Sequence, residues 1–178
     1  MEPSDHRKKL IHILQMAYSG ELAAALAYAG HWRTLRNREQ KEAVRQIEQD
    51  EWHHRQNLLQ LLAEVDAKPS AWRDLMMGAL GSCIFVACFA SGWFFPMYFA
   101  GRLEDGNIIE YKHAAEHARA LGLTAMEETL MIFSAKEEEH EAYFYNVVRD
   151  HWMLKPVMAV FTWGPPPGAP AKAIGSKP

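Results

Sequence analysis

Glu51-Trp52-His53-His54 and Glu137-Glu138-Glu139-His140 each hold a carboxylate and an imidazole three residues apart. On a helix that spacing puts both groups on one face, where they can reach the same metal ion. One such pair is weak evidence, because a solvated helix face accounts for it equally well, and Glu110 with His113 makes a third. Two further carboxylates strengthen the pairs at 51 and 137. Glu21 precedes Glu51 by 30 residues and Glu104 precedes Glu137 by 33, separations that suit two antiparallel helical hairpins.

Each of these acids interrupts a stripe of apolar or small residues at helical spacing. The stripes read Leu14, Ala17, Glu21, Ala24, Tyr28, Trp32; then Val44, Ile47, Glu51, His54, Leu58, Leu62; then Met97, Gly101, Glu104, Ile108, Tyr111, Ala115; and last Leu130, Phe133, Glu137, His140, Phe144, Val147. A carboxylate at mid-height in a core face costs several kcal/mol unless something pairs with it. Four carboxylates carry about −4 and two divalent ions carry about +4, so a dinuclear site built from Glu21, Glu51, His54, Glu104, Glu137 and His140 cancels the charge. A carboxylate-rich set with two imidazoles suits iron, and equally manganese, better than zinc. The plainer alternative is a set of core acids satisfied by Arg, Lys or water. Glu48, Asp50, His53, Glu138, Glu139 and Glu141 fall off the stripes and read as solvated. Glu110 and His113 flank Tyr111 and compete for the third-helix role, but Glu104 aligns with Met97 and Tyr111 on the inward face. Tyr28 and Tyr111 stand where they can serve the metals as hydrogen-bond or radical partners, or simply pack.

Helices must position these groups. Apolar periodicity is helical throughout, and Gly and Pro fall between the periodic segments, so the class is all-α. The first helix is expected over Asp5 to Arg36. Asn37 with Gln40 forms a capping-box pattern that opens a second helix, to about Asp66. Leu75 to Gly101 carries no charged residue and is long enough to span a membrane, for which about 20 apolar residues suffice. Gly78, Gly81, Gly92 and Pro96, and the need for Glu104 to reach the site layer, argue instead for a break near Ser91-Gly92. Ala71 to Ala90 then becomes a crossover of about 30 Å between the second and third bundle helices. One long crossover is what a ferritin-like four-helix bundle requires. The third bundle helix is expected to end near Gly122. A capping box at Thr124 and Glu127 should open the last one, which should stop before Pro156.

A chain of 178 residues holds one domain, assigned to residues 1–155, followed by a short segment at 156–178 whose tail from Gly164 is too poor in apolar residues to pack. The net charge of −3 is spread without a basic stripe, which argues against nucleic acid as a partner. Cys83 and Cys88 lack zinc-type spacing and read as small buried hydrophobes. Met1 to Leu10 is polar where a secretory signal needs an apolar run, so the expected location is cytoplasmic, with peripheral contact to the inner face of a membrane through residues 75–101 as an option. A homo-oligomer is compatible with all of this.

The stretch from Ser19-Gly20-Glu21 to Tyr28-Ala29-Gly30 resembles the first iron-ligand motif of the demethoxyubiquinone hydroxylase family of ubiquinone biosynthesis. The glycine-bearing apolar stretch before Glu104, the segment from Glu104-Asp105 to Tyr111, and the Glu-x-x-His pairs follow in the family's order, over roughly residues 10 to 150. Tyr18 stands where the family usually has His. The resemblance implies two iron ions, with Glu51 and Glu137 bridging, Glu21 and Glu104 terminal, and His54 and His140 on one iron each. It also implies that one atom of dioxygen enters the ring of a quinone, phenol or other small apolar aromatic substrate while the other leaves as water. Membrane association through the uncharged region, with Trp93, Phe94, Phe95 and Phe99 as the dock, follows from the same likeness. The rival readings are a ferroxidase or peroxide-scavenging bundle without organic substrate, and a metal-free interaction bundle.

Overall fold

The computed structural model describes residues 2–163, so the expectation for the tail from Gly164 lies outside the described residues. Six helices follow in order: α1 (Pro3–Thr34), α2 (Arg38–Glu64), α3 (Ala71–Cys88), α4 (Phe94–Ala120), α5 (Thr124–Val148) and α6 (Leu154–Val160). Among the described residues there is no strand. The architecture is an all-α, ferritin-like bundle. α1 packs along α2 and α4 along α5 as two hairpins, α1 meets α4, and the crossover α3 lies along the outside of α1.

Local sequence explains most of the boundaries. Asn37 Oδ1 accepts from the Gln40 backbone N–H at 3.0 Å and starts α2. The Gln40 side chain does not return the bond; its Oε1 accepts from Trp93 Nε1 at 2.9 Å and ties the start of α2 to that of α4. Gly92 and Gly122 have φ of 75° and 72°, the left-handed conformation that breaks the chain before α4 and ends it afterwards. Gly30 and Gly81 let α3 lie against α1, since a Cβ on either would come within 3 Å of the backbone of Phe85 or Ala23 across the interface.

One boundary expectation needs correction. The residue before α5 is Leu123, with no side-chain cap, because Glu127 turns to Arg119 at 2.6 Å instead of back to Thr124. α5 stops before Pro156 as expected, ending at Val148, and Pro156 falls in the first turn of a short further helix, α6, where a missing N–H costs nothing. The chain beyond α6 then returns to the bundle. Tyr98 donates its hydroxyl to the Phe161 carbonyl, Arg102 Nε donates to Thr162 O at 2.8 Å, and buried Trp163 fills the space left by the absent side chain of Gly101.

The core has two parts. One is built on Leu10, Leu14, Leu58, Leu62, Leu130 and Phe133. The other is built on Tyr28, Val44, Ile47, Met97, Phe144 and Val148. The acid layer lies between them along α1, α2, α4 and α5. α1 and α3 are both long and apolar enough to cross a membrane by length and composition alone. α1 is a bundle helix, whereas α3 turns an apolar face outward: Trp72, Leu75, Val86 and Phe89 are 59–69% exposed. Cys83 also lies on that exposed face, contrary to the buried role expected for it, while Cys88 is buried. Phe94, expected to be part of the dock, is buried in the core against Tyr98 and His151.

Candidate metal centre

Six side chains from four helices converge where the two halves of the core meet. α1 supplies Glu21, α2 supplies Glu51 and His54, α4 supplies Glu104, and α5 supplies Glu137 and His140; none is more than 4% exposed. Their donor atoms fall into two overlapping sets, each within 4.8 Å: Glu21, Glu51, His54 and Glu137, and Glu51, Glu104, Glu137 and His140. Glu51 and Glu137 are common to both. Each set holds one histidine and one further glutamate of its own. All six expected residues are therefore brought together. Glu110 is not among them; it is half-buried and lines a small recess with Glu21, Asn107 and Tyr111.

Both imidazoles turn Nδ1 to the carboxylates. His54 Nδ1 lies 2.9 Å from Glu137 Oε1 and 4.0 Å from Glu21 Oε1. His140 Nδ1 lies 3.2 Å from Glu137 Oε2 and 3.5 Å from Glu51 Oε1. The far nitrogen of His140, Nε2, is 3.1 Å from Asp50 Oδ2, which holds the ring with Nδ1 inward. Two tyrosines cross between the hairpins. Tyr28 on α1 donates its hydroxyl to Glu104 on α4, and Tyr111 on α4 donates to Glu21 on α1. Each tyrosine stands seven residues after the glutamate of its own helix. Asn107 Nδ2 adds a bond to Glu104 Oε2 at 3.0 Å.

The electrostatics are those of a crowded anionic site. Burial, and then the neighbouring carboxylates, hold Glu51 and Glu104 well above the ordinary carboxylate range. Glu21 is raised for the same leading reason, burial. Burial pushes Glu137 up as well, but hydrogen bonds from His140 and His54 outweigh it and bring its pKa down to about 2. Burial and the adjacent carboxylates raise Tyr28 and Tyr111 well above the normal phenol value, so both keep the proton they donate.

These residues fit a pair of divalent cations. Both oxygens of Glu51 and Oε2 of Glu21 are buried without a hydrogen-bond partner, the condition a cation would relieve. No Lys or Arg enters the cluster among the described ion pairs. The donor set, oxygen-rich with two imidazole nitrogens, matches iron or manganese.

Asp50 and Asn107 escaped the sequence reading. Asp50 sits beside a ligand but off the apolar stripe, and its partner comes from a different helix, so no periodicity marks it. Four other off-stripe residues are partnered outside the cluster: Glu48 accepts from Trp32 Nε1 at 2.6 Å and Glu141 from Trp163 Nε1 at 3.1 Å, Glu138 pairs with Lys112, and Glu139 with Lys136.

Beside the layer, between α1, α3 and α4, lies a cavity of about 360 Å³ whose walls include Tyr28, His31, Ile84, Phe95, Phe99 and Leu103. Tyr28 faces both ways, forming part of the cavity wall while its hydroxyl bonds to Glu104. The outer rim carries the exposed apolar side chains Ile84 of α3 and Phe99 and Leu103 of α4.

No curated protein and no solved structure matches the chain. The family model described as ubiquinone biosynthesis protein COQ7 matches residues 8–143. That span contains every residue of the acid layer and both crossing tyrosines, and the chain belongs to this family, the demethoxyubiquinone hydroxylases of ubiquinone biosynthesis.

Proposed function

We propose that this chain is a dioxygen-dependent monooxygenase that hydroxylates the ring of a quinone-like or other apolar aromatic substrate, using two iron ions held by Glu21, Glu51, His54, Glu104, Glu137 and His140. The observation that carries the reading is the apolar cavity set against the acid layer with one side chain, Tyr28, between them. A site that only oxidises iron has no need of such a cavity. Membership of a ubiquinone biosynthesis family supports the substrate class.

Bound iron would supply the site of dioxygen reduction, with the external electrons entering from a two-electron donor. The chain's own residues do the rest. Glu51 and Glu137, common to both donor sets, would help to hold both cations. Tyr111 and Tyr28 hold Glu21 and Glu104 in place by donating to them. Asp50 fixes the ring of His140. The apolar walls exclude water and seat an aromatic ring beside the layer. For each substrate C–H hydroxylated, one dioxygen, two electrons and two protons are consumed and one water is released. The exposed apolar face of α3, the helix that also carries the rim residue Ile84, suits a membrane surface from which a lipid-like substrate can enter.

The test is metal analysis coupled to product analysis. Purified chain loaded with ferrous iron is expected to hold near two irons and, given dioxygen, a reductant and a quinone precursor, to yield a ring-hydroxylated product by mass spectrometry. Iron oxidation with no organic product would make it a ferroxidase instead.

A further inference from the structure

We propose that His31 is the polar anchor of the cavity: it binds and orients an aromatic ring by hydrogen-bonding to a ring oxygen, and so selects oxygenated rings over hydrocarbons. This rests on reading the cavity as the substrate site.

The cavity wall is almost entirely hydrocarbon, so its few polar groups decide how a ring can lie. Of these, the Tyr28 hydroxyl is committed to Glu104, and the Cys88 thiol points at the Ala27 carbonyl at 3.9 Å. Ser91 lies in the turn between α3 and α4. His31 is different. It is 2% exposed, it lines the cavity, and its Nε2 is buried with no hydrogen-bond partner. A buried ring nitrogen without a partner is rare in a folded protein and calls for an explanation. A ligand oxygen in the adjoining space supplies one.

The geometry favours a fixed donor or acceptor. His31 stands three residues after Tyr28 on one helix face, so the two side chains share a wall of the cavity. Phe144 stacks on the imidazole, with ring centroids 6.3 Å apart and planes at 18°, which fixes the plane of the ring. Burial lowers the pKa of His31 to about 4, so the imidazole is neutral near pH 7 and presents an uncharged nitrogen. Protonated at Nε2, it donates to a quinone carbonyl or an ether oxygen; protonated at Nδ1, it accepts from a phenol. A site built around such a bond rejects the analogue that lacks the oxygen, because the nitrogen is then left unpaired.

The experiment compares two probes, a decyl-chain benzoquinone and decylbenzene, by equilibrium dialysis against the full chain loaded with iron. His31→Leu is expected to weaken the quinone about fivefold to tenfold while leaving decylbenzene unchanged, and His31→Gln to retain quinone affinity within about threefold. Equal weakening of both probes, or of neither, by His31→Leu overturns the proposal. Ala87→Trp, at the exposed edge of the cavity, is expected to weaken both probes; if it affects neither, the ring does not bind in this cavity and the substrate-site reading itself fails. A measurement that needs no variant completes the set. The ¹⁵N shift of His31 Nε2 should move when the metal-free wild-type chain receives the quinone and stay put with decylbenzene, and a stationary shift with both overturns the proposal.

Discussion

Replacing Glu51 by Met should stabilise the metal-free protein while abolishing its response to iron. Glu51 is fully buried, both its oxygens lack hydrogen-bond partners, and burial with three neighbouring carboxylates raises its pKa well above normal. Methionine has nearly the same volume and no charge. Because no donor is bonded to Glu51, its removal strands none, unlike Glu104, whose loss would orphan Tyr28 and Asn107. Exchange of buried ionic groups for well-packed apolar ones is neutral to stabilising by about 1–4 kcal/mol. Taking about 2 kcal/mol, at about 2–4 °C per kcal/mol for a chain of this size, Tm should rise by about 4–8 °C. Wild type should instead gain stability from ferrous iron, by about 2.7 kcal/mol at a hundredfold excess over Kd. Thermal unfolding followed by circular dichroism, with and without iron under anaerobic conditions, reads both quantities. A metal-free Glu51→Met protein that melts below wild type would refute the reasoning, since the carboxylate would then be a satisfied structural group. A variant that still gains stability from iron would refute the assignment of Glu51 as common to both cation positions.

Further outcomes follow from the same geometry. Glu137→Ala should abolish dinuclear loading while Glu138→Ala, paired at the surface with Lys112, leaves it nearly intact; equal metal content in the two would show that the wrong face has been chosen. Asp50→Asn should weaken iron binding about 10- to 100-fold in chelator competition, because it loosens the ring of His140 without touching the cations. The metal-free protein should lose stability as pH rises from 6.5 to 8, read as a falling Tm. Glu51, Glu104, Glu21 and Glu110 have folded pKa values above their unfolded ones, Glu110 at about 7, so each contributes stability below the unfolded value that disappears as pH passes the folded one. Glu137, at about 2, acts in the opposite sense far below this window, and His31, lowered from 6.5 to about 4, does so mainly below it. Val86→Asp with Phe89→Asp should reduce flotation with anionic liposomes, and unchanged flotation would remove α3 as the contact surface.

Much of the site could be read from the chain because a buried acid on a helix must break an apolar stripe at a fixed phase. Glu21, Glu51, Glu104 and Glu137 do so once per helix, and the structure places all four at one level with His54 and His140. The break at Gly92 and the stop at Gly122 were equally legible, since both need a positive φ. What was hidden depends on partners from elsewhere in the chain. Asp50 owes its place to His140, 90 residues away, and Glu127 prefers Arg119 to the cap its sequence suggests. His31 lies beside a stripe position, Trp32, and nothing in the linear pattern reveals the space it faces. The fate of α3 was open for a related reason. Its composition allows burial, a membrane or an exposed face, and only the packing of Gly30 and Gly81 shows which side meets α1.

The crossed phenols have a mechanical consequence. Tyr28 reaches from the first hairpin to the second and Tyr111 reaches back, so sliding either hairpin along the other by one turn, about 5.4 Å, would sever both clasps at once. Axial register is thus latched by a matched pair of hydroxyls, independently of any cation. The spacing of the donor groups is therefore set before any cation binds, and either Tyr→Phe change alone should leave the remaining clasp to keep the two halves aligned.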